Sequence, residues 1–69
     1  MNLKVTLHGF PQRTRELTLA DGATGYDMLK ALNISPELVL VFRNRTPMPL
    51  DDTLHAEDDL TVLRIVSGG

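Results

Sequence analysis

Three kinds of group in this chain could do chemistry: the histidines His8 and His55, a run of carboxylates, and the final glycines Gly68 and Gly69. There is no cysteine, so disulfides, thiolate metal sites and a cysteine nucleophile are excluded. The two imidazoles are far apart in sequence and neither has a serine partner at a recognisable spacing, so neither is expected to be catalytic. Five of the nine acids, Asp51, Asp52, Glu57, Asp58 and Asp59, fall within residues 51–59. Their spacing lacks the glycine and the ladder of ligands of a calcium loop, so the run reads as a solvated loop and no metal site is expected. No glycine-rich phosphate loop is present, so the chain has no evident means of binding ATP itself. No basic stripe interleaved with aromatics is present either, which argues against nucleic-acid binding.

What is left is the carboxylate of Gly69. An α-carboxyl group of ordinary acidity is ionised at neutral pH and resists nucleophilic attack, so its use as a reagent needs another enzyme, ATP and a leaving group. Glycine has no Cβ, and residues 67–69 could reach about 10 Å into a channel too narrow for a folded body. Ser67 and Gly68 would form the thin tip. Terminal glycines alone are also what a frayed end looks like, so the preceding residues must decide.

At 69 residues the chain makes one small domain that stands on a compact hydrophobic core. Residues 1–66 are expected to fold and residues 67–69 to form a flexible tail. No apolar run approaches the length of a membrane span and nothing resembles a signal peptide, so a soluble cytoplasmic protein is expected.

Met1, Leu3, Val5 and Leu7 alternate with polar residues, the period of a strand with one buried face. Gly9, Phe10 and Pro11 break it, and a second strand over 15–20 forms a hairpin with the first. Thr24 and Asp27 make a capping box with a shortened acid, opening a helix over 25–33 that Asn33 can end in the left-handed conformation. A strand over 38–43, a turn at Asn44 and Arg45, a short edge piece over 46–50 and a final strand over 60–66 follow. The material suits a two-layer α+β domain, one helix across one face of a mixed sheet of four to five strands. The first and last strands are expected side by side in its interior.

In the final strand Leu60 and Val62 share one face while Leu63 and Ile65 point to the other. If Val39 and Val41 face the helix, Leu40 and Phe42 must face away from it. One helix cannot cover both sides of a sheet. An exposed apolar patch of Leu40, Phe42, Leu63 and Ile65, with Phe10 at its rim, is therefore expected to bind a partner.

These residues resemble the ubiquitin-like β-grasp sulfur carriers: the thiamine-pathway carrier, the small subunit of molybdopterin synthase and the related archaeal small modifiers. The resemblance spans essentially the whole chain. It is carried most specifically by residues 39–44 (VLVFRN), by Pro49, Asp52, Thr53, Leu54, Asp58 and Asp59, and by residues 65–69 (IVSGG). Where that family often has glycine, after the hairpin asparagine and in an acidic turn, this chain has Arg45 and Asp58. The resemblance implies adenylation of Gly69 by a ubiquitin-activating-type enzyme that uses ATP and magnesium, no cofactor being held by the carrier. Conversion to a thiocarboxylate with sulfur from a donor enzyme would follow, or joining to a lysine of a target protein. Phe42 and Leu63 would occupy the place of the docking surface.

The leading expectation is a sulfur carrier, a cosubstrate rather than an enzyme, serving an acceptor enzyme in molybdopterin, thiamine or tRNA thiolation. The alternatives are a protein modifier, with Lys4 and Lys30 available if copies were joined to one another, and a β-grasp interaction module whose terminal glycines are inert.

Overall fold

The computed structural model describes residues 1–65. Five strands, β1 (Asn2–His8), β2 (Thr14–Thr18), β3 (Val39–Arg43), β4 (Thr46–Pro47) and β5 (Leu60–Arg64), form one sheet in the order β2-β1-β5-β3-β4. β1 and β5 are parallel neighbours at its centre and the other pairs are antiparallel. The first and last strands thus lie side by side in the sheet interior, as expected.

The helix α1 (Gly25–Leu32) buries Met28, Leu29 and Leu32 against Leu3, Val5, Leu7, Leu17, Val39, Val41, Leu60 and Val62. This apolar layer is the core. The Thr24 hydroxyl accepts from the Asp27 N–H and the Asp27 carboxylate accepts from the Thr24 N–H, so the shortened acid closes the box. Amides of the first turn that have no partner within a helix are bonded from outside. The Gly25 N–H donates to the Asp52 carbonyl and the Tyr26 N–H to that of Leu50. A Cβ at Gly25 would stand 3.0 Å from the Leu50 carbonyl oxygen, so only glycine lets the loop come this close. Asn33 ends the helix at φ 59° and ψ 43°, its N–H shared between the Leu29 and Lys30 carbonyls.

Strand boundaries shift slightly from the alternation. Pro36–Leu38 forms a 3-10 turn, which delays β3 to Val39. β5 ends at Arg64, although the Ile65 N–H still donates to the Leu38 carbonyl at 2.9 Å. Among the described residues no helix is long and apolar enough to cross a membrane.

Candidate functional site: the uncovered sheet face and the strand that leads to the tail

In a sheet, residues directly opposite each other on neighbouring strands share a face. The register pairs Leu40 with Leu63, Phe42 with Thr61, His8 with Leu63, and Phe42 with Pro47. The face turned away from α1 therefore carries an apolar half across β3, β4 and the end of β5. Leu40 is 46% and Ile65 51% exposed, while Phe42 and Leu63 are half-buried. The other half, on β1 and β2, is polar: Lys4 lies opposite Glu16, and the Thr18 hydroxyl donates to the Asn2 side-chain oxygen at 2.9 Å. The structure brings Leu40, Phe42 and Leu63 together on adjoining strands and leaves Ile65 exposed just beyond β5.

Phe10 is not on that rim. Its ring packs against the core on the helix side, where the Arg64 guanidinium lies 5.5 Å from its centroid. The cause is Gly9, whose φ of +87° turns the chain toward the helix. A Cβ there would stand 2.8 Å from the Arg64 Cβ. Phe10 instead lines a groove with Leu7, Arg15, Leu32 and Ile34, on the opposite side of the sheet from Leu40 and Leu63.

The acidic run is more ordered than a solvated loop. Arg43, on the helix-side parity of β3, donates to the Asp52 carboxylate and to the Thr53 carbonyl, both at 2.9 Å, and lies 3.7 Å from Asp58. The Asp58 carboxylate also accepts from the His55 N–H at 2.8 Å. Asn44 and Asp59 bond twice, through the Asn44 N–H to the Asp59 carbonyl and the Asp59 N–H to the Asn44 side chain. Proximity in sequence does not mark Arg43 as the organiser of this run. The signal was available only in its parity with Val39 and Val41.

His8 ends β1, whereas His55 borders a hollow with Met1 at the strand's start, so the two imidazoles are at opposite ends and cannot act together. No cluster of three or more histidine or carboxylate side chains among the described residues could hold a metal ion. Lys4 lies on the outer sheet face and Lys30 on the helix, both exposed. Val66, Ser67, Gly68 and Gly69 lie outside the described residues.

One helix across a five-stranded mixed sheet, with the first and last strands parallel at its centre, defines the ubiquitin-like β-grasp class. The family model for small archaeal modifier protein 2 matches residues 1–66, and the chain belongs to that family. It is 31% identical over 67 residues to small archaeal modifier protein 2 of Haloferax volcanii, covering 97% of this chain and all of the relative. It is 35% identical over 69 residues to an uncharacterised protein of Archaeoglobus fulgidus, covering all of both. Among solved structures, SAMP1 from Haloferax volcanii superposes with a TM-score of 0.79 at 22% identity over the whole of both chains. The ubiquitin of Caldiarchaeum subterraneum gives 0.73 at 15% identity, over all of this chain and 98% of that one. These two structural likenesses establish the fold.

Proposed function

We propose that this chain is a protein cosubstrate whose Gly69 carboxylate is adenylated by a ubiquitin-activating-type enzyme and then converted to a thiocarboxylate. The carboxylate oxygen attacks the α-phosphate of ATP held with magnesium by the partner, and pyrophosphate leaves. The acyl adenylate carries a good leaving group where the free carboxylate had none. The terminal sulfur of a donor-enzyme persulfide then attacks the acyl carbon and AMP leaves; a second donor thiol attacks the bridging sulfur of the resulting acyl disulfide, closing a donor disulfide and releasing the thiocarboxylate. The sulfur goes on to an acceptor in cofactor biosynthesis or tRNA thiolation.

The observation that carries this reading is the outward apolar set on and beside β5, exposed Leu40 and Ile65 with half-buried Leu63 between them. Gly69 is four residues beyond Ile65 in sequence, so an extended chain spans at most about 14 Å between them. A partner seated on the outer face is within that reach of the terminal carboxylate. Such a face is what a docking enzyme needs, an apolar centre with a polar surround.

Isopeptide transfer is the second reading, favoured by membership in a modifier family. It shares the adenylate and differs only in the nucleophile, a lysine amine of a target in place of sulfur. Incubation with ATP, magnesium, a sulfur donor and active cell extract, followed by intact and peptide mass spectrometry, separates them. Exchange of oxygen for sulfur confined to the C-terminal peptide supports the carrier. Tryptic remnants of residues 65–69 (IVSGG), left on target lysines by cleavage after Arg64, support the modifier. An unmodified tail, together with unchanged function after deletion of Gly69, refutes both and leaves an interaction module.

A further inference from the structure

β5 loses its neighbours near its end. Pairing with β1 stops at His8 opposite Leu63, and pairing with β3 stops at Val39 opposite Arg64. Past these pairs the chain is still held from both sides. On the β3 side the Ile65 N–H donates to the Leu38 carbonyl at 2.9 Å, which the Pro36–Leu38 turn presents, its own Leu38 N–H bonded to the Ser35 carbonyl at 3.1 Å. On the β1 side the chain turns at Gly9, and the Arg64 stem lies against that turn. A Cβ on Gly9 would stand 2.8 Å from the Arg64 Cβ, 3.6 Å from its Cδ and 3.7 Å from its Cγ. The stem runs on to Phe10, where the guanidinium carbon lies 5.5 Å from the ring centroid, within the range of cation–π attraction.

Alternation along a strand sets Leu63 and Ile65 on the outer face and Arg64 between them on the helix side. Holding Arg64 from beneath therefore holds the two residues that flank it. Arg64 is half-buried, and its aliphatic stem and planar charge suit a backbone turn followed by an aromatic face. Phe10 packs against the core, so the ring that meets Arg64 is anchored to the folded body. Four residues, Val66, Ser67, Gly68 and Gly69, follow Ile65 in sequence.

We propose that Phe10 and Arg64 are positioning residues for the terminal carboxylate. Gripped between the Gly9 turn and the Phe10 ring, Arg64 keeps Ile65 on the sheet and so fixes the point from which the last four residues continue. The consequence for rate rests on the adenylation proposed above, whereas the grip on Ile65 does not. Freeing residues 64 and 65 lengthens the segment between docked Leu63 and reacting Gly69 from four mobile residues to six. The effective concentration of a tethered group falls as roughly the −3/2 power of linker length, so the carboxylate is presented about half as often. Lost direction adds to that loss. Leu40 and Leu63 still dock, so the deficit falls on kcat and leaves KM alone.

Backbone ¹⁵N relaxation of the full free chain reads the grip without any enzyme. Phe10→Leu keeps an apolar side chain against the core and Arg64→Met keeps the stem, and each removes the attraction between charge and ring. In either variant the Ile65 N–H order parameter should fall from about 0.85 toward about 0.6 or below, with that of Val62 unchanged. The double variant should fall no further than the lower single one, the mark of two residues acting as a unit. Arg64→Lys, which keeps a cation for the ring, should stay near the parent chain. A role in stability alone would lower the melting temperature and leave the Ile65 order parameter where it was, and that result overturns the proposal. In ATP–pyrophosphate exchange with the activating enzyme, Phe10→Leu should lower kcat about twofold or more at unchanged KM. A raised KM at unchanged kcat would place Phe10 in docking and also overturn it. No exchange with the parent chain refutes adenylation, and the order parameters then decide the grip by themselves.

Discussion

Arg45 and Asp58 should respond to substitution by glycine with opposite signs. Asn44 and Arg45, between β3 and β4, have φ of +52° and +67°. Both centres of this two-residue turn are left-handed, the geometry that matches hairpin twist and favours Asn followed by Gly. Asparagine tolerates that conformation, but an arginine Cβ costs about 1–2 kcal/mol there. Arg45→Gly removes this cost and returns about 0.4–1 kcal/mol through the freer unfolded chain. The net expectation is stabilisation by about 0.5–1 kcal/mol, a rise in melting temperature of about 2–8 °C for a domain of this size. Asp58 is not among the residues with positive φ, and its carboxylate accepts from His55 and faces Arg43. Asp58→Gly forfeits a charge-assisted hydrogen bond and gains no relief of strain, so it should destabilise by about 1.5–3 kcal/mol. Urea unfolding followed by far-ultraviolet circular dichroism reads both, with Arg45→Ala as the control. Alanine keeps the Cβ and should leave stability nearly unchanged. A stabilising Arg45→Ala as large as Arg45→Gly, or an Asp58→Gly that stabilises, would refute the reasoning from backbone conformation.

Two further outcomes follow from the two faces of the sheet. Gly9→Ala places a methyl group 2.8 Å from the Arg64 Cβ at a φ of +87°, and should cost about 2–3 kcal/mol in thermal or urea unfolding through strain and displacement of Phe10. Leu40→Ser with Leu63→Ser on the outer face should change stability by only about 1 kcal/mol while weakening binding to the activating enzyme at least tenfold, measured by ATP–pyrophosphate exchange against carrier concentration.

The alternation of residues 1–8, the Thr24–Asp27 box and the left-handed Asn33 were legible because each is decided within a few residues. The uncovered face was legible for a similar reason. Once Leu60 and Val62 are assigned inward, period two places Leu63 outward, and the same parity on β3 places Leu40 opposite it. Phe10 was not legible, since its side depends on the direction in which the chain leaves Gly9, which glycine leaves open and Arg64 settles. The role of Arg43 was not legible, because sequence says nothing of which carboxylate the folded loop returns to an arginine.

β5 divides its duties by parity. Leu60 and Val62 are wholly buried beneath the helix, whereas Leu63, on the opposite face, meets the outer patch. A slip of one residue would exchange these faces and bury Leu63. What pins the register lies at the start of the strand, where Asn44 and Asp59 bond through both a main-chain and a side-chain acceptor, and where Arg43 gathers the preceding loop through Asp52, Thr53 and Asp58. The acidic loop thus helps to fix which residues of β5 face outward at the strand's other end. Loss of the Arg43 bonds should therefore harm docking at Leu63 through register and loop order, without any contact between the loop and the docked partner.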